Sequence, residues 1–462
     1  MSADEKKGRL SNTLYYYAEI TIKALSPLVL ASGKGGSLFD VELVRDANGL
    51  PAIPGSTIAG VLRHAVQTEK GKDFEKELFG YQNENNGKTS AVEVSWAYVH
   101  DSNNQIHKYF YAEDDIKNDA ILKELYITDN PEFKRDHVHV SEKGTSVNNN
   151  KFDRYFTPTG TRFTFSIGMW SDKNNNDGET VWKEILKTLF SPSFRIGSAS
   201  HDGYGRIKVI EIKIPANEKY CFDINEDMSS FKNCKGKYSL EQGGEEQYKI
   251  IKLNFPLGFR IGGSILYSDD EESINIKPYR EKVIVWNADE NNNVAFKERI
   301  TIPGSSIKGV LRHRTAFHLA RINGNWIKNP PVEEYDDGLS ELFGYAANEK
   351  KGEKGLVGKI WFTDLYLEND ISTYQFSRNS IDRFTGGTLE RALFTEENVM
   401  GTFTASYYYD KSLNDNKKLT NALKAFEWAV SDLEKGRLAI GGGSGHGLGF
   451  SCQSNSKASD LK

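Results

Sequence analysis

Cysteine is scarce in this sequence. Its 462 residues include three cysteines, Cys221, Cys234 and Cys452, an odd number without the CxxC spacing of zinc ligands. This scarcity argues against a disulfide framework and against a cysteine-based zinc site, and it suits a reducing compartment. No apolar run approaches the roughly 18 residues that span a bilayer, and the opening MSADEKKGRLSN lacks the apolar segment of a secretory signal. We therefore predict a cytoplasmic protein with no membrane partner.

An excess of positive charge is also missing, since 59 Lys and Arg face 64 Asp and Glu for a net charge of −5. Phosphate contacts are normally made by Lys and Arg, so the overall composition does not indicate a nucleic-acid binder. It does not exclude a local basic groove. The stretch SGKGGS, residues 32–37, lacks the GxxxxGK[ST] pattern, which argues against an NTPase. The nine histidines show neither HExxH nor zinc-finger spacing.

The sequence does contain an internal repeat. IPGSTIAGVLRH at residues 53–64 returns as IPGSSIKGVLRH at residues 302–313. Three further blocks recur in the same order: ELFGY twice, FDRY against IDRF, and IGSASHDGYG against IGGGSGHGLG. Their offsets drift, as loop insertions around a common scaffold would cause. We predict a first domain at residues 1–238 with an insertion at about 97–150, a linker at 239–247 and a second domain at 248–462.

Local patterns indicate the fold class. Each domain opens with an alternating apolar strand, around Ile20 in the first and Leu253 in the second. In the first repeat motif, apolar residues then recur at helical spacing from Ile58 to Val66, behind a Gly-Ser helix start. The order of strand, glycine-bearing loop, helix, further strands and glycine-rich turn predicts an α+β fold, with two tandem domains of the ferredoxin-like or RNA-recognition type.

The two IPGS motifs are candidate phosphate sites. A helix start presents free backbone N–H groups and the positive end of the helix dipole. Arg63 and Arg312 lie off the apolar stripe of their helices and could add charge. The alternative is that Gly55 and Gly304 only shape a tight turn and that the arginines are solvated. Recurrence of the same arginine favours the first interpretation.

Two glycine-rich loops are the second candidate. They contain Gly203 and Gly205 near the end of the first domain, and Gly447 and Gly449 near the end of the second. Such spacing lets a backbone approach a phosphate or a partner chain closely, although a structural hairpin would also explain it.

Asp40, in SLFDVELVRD, is the carboxylate of interest. Near RNA, a carboxylate can hold a metal ion or help to draw the proton from a ribose 2′-hydroxyl, which then attacks the adjacent phosphorus. An aspartate bonded to its own loop backbone is the plainer alternative.

In combination, these motifs resemble the RAMP superfamily of CRISPR proteins, specifically the repeating backbone subunit of type III effector complexes. The resemblance rests on SPLVLASGKGG followed by FDVELVRDANGLPAIPGSTIAGVLRH, on IPGSSIKGVLRH, and on the loops HDGYG and GHGLG. Two such units in tandem look like the duplicated subunit of a III-D-like complex. The resemblance implies a chain at two successive positions along a shared guide RNA, with target RNA and other effector subunits as partners.

The resemblance also implies chemistry, namely cleavage of the paired target RNA by a loop aspartate with a divalent metal, Mg²⁺ in our expectation. Asp40 matches that aspartate and would hold the metal, and Asp46 matches a second acidic position. In the second domain, aligning VELVRDANG with KVIVWNADE places Glu281 opposite Asp40, with Asp269 and Asp270 in the enlarged loop upstream. The first-domain insertion would correspond to the family's thumb, and the second domain has a shorter segment there.

The residues expected to contact RNA follow from the same matches. In the first domain they are Lys34, Gly55, Ser56, Arg63, Arg154, Gly203 and Gly205. In the second they are Gly304, Ser305, Lys308, Arg312, Arg383, Gly447 and Gly449. Arg154 and Arg383 could equally form structural ion pairs with the aspartates before them.

Three other functions are alternatives to target cleavage. The chain could be a guide-binding scaffold without catalysis, or a generic two-domain RNA-binding protein, although no RNP1-like segment is present. A guide-processing RAMP nuclease would have a catalytic histidine near its start, and none precedes His64.

Overall fold

The computed structural model describes most of both halves of the chain. The described residues are 14–31, 42–83, 86–106, 110–128, 130–140, 146–172, 177–214, 221–223, 236–237, 248–261, 274, 276–286, 294–324, 337–345, 355–367, 371–389, 392–409 and 419–452. Lys34, Asp40, Asp269, Asp270 and the predicted linker lie outside them. Below, the first half is the chain up to residue 237 and the second half begins at Tyr248.

The first half alternates strands and helices in the predicted order. Its strands are β1 (Leu14–Ala24), β2 (Tyr81–Asn83), β3 (Asn86–Lys88), β4 (Val92–Val94), β5 (Tyr98–Val99), β6 (Lys134–Val140), β7 (Ser146–Tyr155), β8 (Arg162–Ser171), β9 (Ile207–Ile214), β10 (Cys221–Asp223) and β11 (Gly236–Lys237). Its helices are α1 (Gly55–Lys70), α2 (Lys72–Phe79), α3 (Glu113–Asn118), α4 (Leu122–Tyr126) and α5 (Gly178–Thr188).

An antiparallel sheet in the order β11-β9-β1-β8-β4 forms the centre of the first half, with β10 beside β1 and β5 beside β8. The central strand β1 is buried at Ala18, Ile20, Ile22 and Ala24, as its alternation predicts. Buried faces of α1 and α5 join the same core cluster. The βαββαβ order and this strand arrangement confirm a ferredoxin-like domain.

The second half repeats this plan. Its strands are β12 (Lys249–Phe259), β13 (Arg280–Trp286), β14 (Val294–Ile302), β15 (Gly344–Tyr345), β16 (Leu356–Val357), β17 (Ile360–Phe362), β18 (Leu365–Tyr366), β19 (Ser372–Arg378) and β20 (Phe394–Tyr409). Its helices are α6 (Gly304–Ile322), α7 (Asp337–Phe343) and α8 (Thr420–Glu434). Its sheet runs β12-β20-β17, with β19 beside β20.

Each half has its own hydrophobic core, and the β13–β14 hairpin of the second half packs on the first. Ile284 is buried in the core cluster of the first half, and Trp286 and Phe296 pack against that cluster. The N–H of Ile284 donates to the carbonyl of Thr159 at 2.8 Å, and Trp286 donates from Nε1 to the carbonyl of Gly160 at 2.7 Å. The two halves therefore share an interface built by backbone and core contacts.

Matching backbone hydrogen bonds show which residues of the halves are equivalent. The N–H of Gly205 donates to Pro27 and that of Gly449 to Gly258. Further along the same segments, Leu28 pairs with Thr157 in the first half. Phe259 pairs with Val399 at the equivalent place in the second half. By this register the β6–β7 hairpin corresponds to the β19–β20 hairpin.

This register corrects the pairing of FDRY with IDRF. Residues 152–155 lie in β7, whereas residues 381–384 form a turn between β19 and β20. Counting back three positions from Thr157 and from Val399 places Arg154 opposite Glu396 instead of opposite Arg383. The four-letter similarity is therefore not a structural equivalence.

The alignment of Glu281 with Asp40 is also wrong in register. The N–H of Val44 donates to Leu30, and the N–H of Tyr279 donates to Ile261 at the equivalent place. Glu281 follows Tyr279 by two positions, as Asp46 follows Val44. Glu281 is thus the counterpart of Asp46.

Candidate nucleic-acid interface

The start of α1 explains why Gly55 must be glycine. Pro54 precedes the helix, and its carbonyl accepts the N–H of Thr57 at 2.9 Å. A Cβ at Gly55 would collide with the carbonyl oxygen of Val94, because the helix start lies against the end of β4. Ser56 is exposed. The glycine is therefore required by strand packing, while the helix start still faces solvent at Ser56.

The start of α6 has a different environment. Gly304 donates its N–H to Oδ1 of Asp364 at 2.7 Å, and a Cβ at Gly304 would lie 2.9 Å from the Cα of Gly203 in the first half. A carboxylate thus already occupies the positive end of this helix, and the glycine loop of the first half covers it. Gly203 and Gly304, both predicted to contact RNA, contact each other instead.

Asp364 belongs to a buried ion cluster between the halves. Arg135 on β6 donates from Nη2 to Asp364 at 2.7 Å and to Glu281 at 2.8 Å, and its Nε also bonds Glu281. Burial alone would lower the pKa of Arg135, but the charges of Asp364 and Glu281 raise it well above its usual range. Tyr279 and Tyr366 also donate to Glu281. Glu281, predicted to be catalytic, is buried and bonded on both oxygens, as a structural ion pair requires.

Lys308 joins the halves at a partly open position. It donates from Nζ to Oδ1 of Asp202 at 2.8 Å, and Arg154 approaches the other oxygen of Asp202 at 3.9 Å. Arg154 also lies over the ring of Phe152, 5.0 Å from its centroid. The partner of Arg154 is therefore Asp202 and not the preceding Asp153, which bonds Lys134 at 2.8 Å.

The β6–β7 hairpin contacts α6. His313 donates from Nε2 to the carbonyl of Val140 at 3.3 Å, which brings the far part of β6 onto the helix. Phe152 and Val138 are exposed on the hairpin, by 38% and 48%. His137 stacks on Phe152 and bonds the hydroxyl of Tyr204. Burial, then the positive charges of Arg154 and Arg135, lower the pKa of His137 to about 4, so it is neutral at pH 7. The hairpin thus presents a partly exposed aromatic ring beside positive charge.

The repeated arginines have unequal surroundings. Arg63 bonds the buried Glu75 through Nε and the carbonyl of Gly80 through Nη2 at 3.1 Å, although its side chain is 45% exposed. Arg312 and Ser305 are half-buried on α6. Arg63 therefore ties α1 to α2 and also reaches solvent, so the structural and the RNA-contacting interpretations are compatible for it.

Both glycine-rich loops use left-handed backbone. Gly203, Gly205, Gly447 and Gly449 have φ values of 106°, 81°, 83° and 79°. Within the described residues no heavy atom lies within 4 Å of a Cβ built on Gly447, whereas one on Gly203 would collide with Asp364. The first loop is thus covered by the second half, while the second loop faces open space near Gly447.

A charged cluster beside the second glycine loop consists of residues that the sequence patterns did not predict. Buried Glu396 bonds Arg260 at 3.1 Å and Arg378 at 3.0 Å, and Arg378 also approaches His446 at 3.0 Å. These residues are far apart in sequence, and only the strand register brings them together. Arg383 lies exposed in the neighbouring turn.

Asp46, the second predicted carboxylate, caps a turn. Its Oδ1 accepts the N–H groups of Asn48 and Leu50 at 2.8 and 3.0 Å. Among the described residues there is no group of three or more His, Cys, Asp or Glu side chains placed to hold a metal ion. No helix in the described part of the chain is long and apolar enough to cross a membrane.

Comparisons with known proteins show the family of the chain and two similar proteins. A model of the RAMP superfamily matches residues 21–208 and 290–452. The CRISPR system Cms endoribonuclease Csm3 of Methanocaldococcus jannaschii is 24% identical over 196 residues, which are 41% of this chain and 74% of that protein. The cryo-EM structure of the Type III-B Cmr-beta bound to cognate target RNA matches with a TM-score of 0.29 and 17% identity, over 44% of this chain and 61% of that chain. This last match spans less than two thirds of that chain.

Proposed function

Because the chain belongs to the RAMP superfamily, we propose that it is a guide-RNA-binding backbone subunit of a type III CRISPR effector complex. The observation that carries the proposal is the tandem of two RAMP regions, each with an IPGS helix and a glycine loop. Similarity to a protein named as a Csm3 endoribonuclease supports the type III assignment. The chain would then bind one guide RNA at two successive positions.

The surface formed by the β6–β7 hairpin and α6 is the proposed guide path. Arg154 and Lys308 offer charge for the phosphates of a single strand, and the partly exposed Phe152, whose ring already contacts His137 and Arg154, offers an apolar surface. Lys308 and Arg154 both lie near Asp202, so RNA phosphates would compete with this carboxylate for them. Contacts of this kind set the position of the guide, while base pairing with the target reads sequence.

Cleavage of target RNA is proposed for the first half, with Asp40 as the residue that holds a divalent ion. Mg²⁺ commonly takes one or two carboxylates and completes its shell with phosphate oxygens and water, so a site with few protein ligands fits this ion. When bound, the ion would stabilise charge on the reacting phosphate. For the second half, Glu281 is already paired with Arg135, and Asp269 and Asp270 are the remaining candidates.

The test is cleavage of a labelled RNA complementary to the guide, with Mg²⁺ present or chelated. We expect Asp40→Ala to remove one product band while guide and target binding persist. The matched control is Asp114→Ala, at an exposed aspartate of α3. Loss of a band in Asp269→Ala with Asp270→Ala would add the second half as a nuclease. If every band survives all these substitutions, the chain is a scaffold, which is the alternative function.

We also propose other RAMP subunits as neighbours at the two ends of the chain. By the strand register, Trp96 takes the place of Asp364 in the first half and Phe376 takes the place of Arg135 in the second. Trp96 and Phe376 are 42% and 45% exposed. The ion pair that joins the halves internally is thus replaced at both ends by an exposed aromatic residue, as a contact with another protein surface would use.

The test for these end contacts is co-purification of the tagged chain with the subunits of its complex. Trp96→Glu should reduce recovery of the subunit next to the first half, because a charge would be buried there. Phe110→Glu, at a residue that is 79% exposed, is the matched control. Unchanged composition of the complex in Trp96→Glu would contradict the proposal.

A further inference from the structure

The two halves repeat the same pair of helices, so each helix position in one half has an equivalent in the other. The IPGS motifs align α1 with α6. Ile196 and Ile440 donate the same backbone hydrogen bond to the last glycine of their loops, and counting back from them aligns α5 with α8. By this alignment the buried Trp182 of α5 takes the place of the buried Phe426 of α8. A difference between equivalent exposed positions therefore has its reason outside the shared core.

The second half exposes two aromatic rings where α6 and α8 meet. Phe317 on α6 and Trp428 on α8 are exposed by 47% and 40%. The ring of the buried His318 lies edge-on to both, 5.3 Å from Phe317 and 5.6 Å from Trp428 between centroids. His318 donates from Nε2 to Oδ2 of Asp432 at 2.8 Å, and Arg314 donates to the same oxygen at 2.6 Å. This network holds the two rings at the junction of the helices.

Cations lie over the faces of both rings. Arg314 and Arg321 are 4.7 and 5.8 Å from the centroid of Phe317, and Lys424 is 5.2 Å from that of Trp428. Arg321 and Lys424 are exposed. A cation over a ring takes the place that a stacked nucleobase would need, so these rings are poorly suited to bases. The face instead suits a partner with carboxylates and an apolar side chain.

The equivalent face of the first half has a different surface. Thr68 on α1 takes the place of Phe317, and Glu184 on α5 takes the place of Trp428. Thr68 is exposed, and Glu184 bonds Lys70 at 2.9 Å. The first half therefore balances opposite charges where the second half combines aromatic rings with cations. Because the fold is shared, the two exposed rings are not required by it.

We propose that the face around Phe317 and Trp428 binds a different protein, one that presents carboxylates around an apolar side chain, once per chain. Tryptophan and arginine are enriched among the residues that dominate the free energy of protein–protein binding. The carboxylates would pair with Arg321 and Lys424 while the apolar side chain packs on the two rings. The inference rests on the proposed function in one respect, because the partner is expected among the other subunits of the complex.

The first test is cross-linking in the assembled complex, purified through a tag on this chain together with its guide RNA. The photo-cross-linking amino acid p-benzoylphenylalanine replaces Phe317 in one variant and Trp428 in another, and mass spectrometry identifies the products. We expect both positions to cross-link to one protein, at a segment that contains Asp or Glu. Thr68 and Glu184 are the matched control positions and should not give this product.

The second test reverses charge on the same face. Arg321→Glu with Lys424→Glu should reduce recovery of the cross-linked protein about tenfold relative to guide RNA, because like charges would then face each other. Lysine in place of the carboxylates of the partner's cross-linked segment should restore the recovery. The control is Lys183→Glu with Lys187→Glu, an equal change of charge on α5 of the first half, and recovery should stay at the wild-type level.

Three results would overturn the proposal. They are a complex in which neither position cross-links to a protein, cross-links that lead to RNA or to a second copy of this chain, and unchanged recovery of the partner after charge reversal. If the complex holds guide RNA and cuts target while no protein cross-links, only this inference fails. If the chain is recovered without guide RNA while the cross-link forms and is lost on charge reversal, the proposed function fails and this inference stands.

Discussion

Arg135 donates from Nη2 to Oδ2 of Asp364 at 2.7 Å, although the two residues are 229 positions apart and belong to different halves of the chain. The other oxygen of Asp364 accepts the N–H of Gly304 at the start of α6. One carboxylate therefore links the hairpin of the first half to the helix start of the second. Because the hairpin and this helix border the proposed guide path, the pair holds these two elements together beside it.

Removing the Arg135 guanidinium should destabilise the folded chain. We expect Arg135→Met to lower the free energy of unfolding by about 3–5 kcal/mol, because Asp364 and Glu281 would keep buried charges without their partner. Denaturant titration measures the change. Lys117→Met, in an exposed pair with Glu113, is the control and should leave the midpoint unchanged. Equal midpoints for Arg135→Met and wild type would show that the cluster contributes nothing net.

Two glycines of α6 should respond in opposite directions to alanine. Gly304→Ala introduces a Cβ 2.9 Å from the Cα of Gly203 and should destabilise the chain by about 1–3 kcal/mol. Gly309→Ala meets no described atom within 4 Å and should stabilise the helix by about 0.5–1 kcal/mol. Thermal unfolding of both variants gives the comparison. A loss of stability in Gly309→Ala would mean that this side of α6 is covered.

Local structure was predictable where a short pattern determines it. The buried alternation of β1 and the starts of α1 and α6 follow from periodicity and from the Pro-Gly-Ser turn. The pairing of FDRY with IDRF failed because four similar letters cannot reveal strand register, which is set by backbone bonds between distant residues. Arg135 and Asp364 carry no local signal of their contact.

Acid should weaken the contact between the halves through His201, which stacks on Trp361 with 4.6 Å between ring centroids. Burial, then the charges of Lys308 and Arg195, lower the pKa of His201 to about 3, against roughly 6.5 when unfolded. A lowered histidine pKa means stability that is present above pH 6.5 and is lost as the pH falls toward 3. At pH 4.5 this loss amounts to roughly 2–3 kcal/mol.

The pH effect is checked by unfolding titrations at pH 7 and pH 4.5. His201→Gln should lose less stability between these values than wild type, because its side chain does not titrate. Gln67→Asn, an exposed change on α1 that leaves every histidine in place, should keep the wild-type pH dependence. If His201→Gln and wild type lose the same stability, the histidine does not control the acid response.

Charge reversal at the repeated arginines should weaken guide binding and flatten its salt dependence. Arg63→Glu with Arg312→Glu removes two candidate phosphate contacts, and each contact with a single strand contributes a slope of about 0.7 in log affinity against log salt. Fluorescence anisotropy with labelled guide RNA at several salt concentrations measures this slope. Lys123→Glu with Lys435→Glu changes the net charge equally at two other exposed positions, so any loss of affinity shared by both double variants reflects long-range charge alone.

Because Arg63 also bonds Glu75, the arginine variant needs a check of its folding, and Arg63→Gln supplies a milder version. An unchanged slope of log affinity against log salt in the folded double variant would refute the assignment of these arginines as guide contacts. Arg154 and Lys308, on the proposed guide path, would then be the next residues to test.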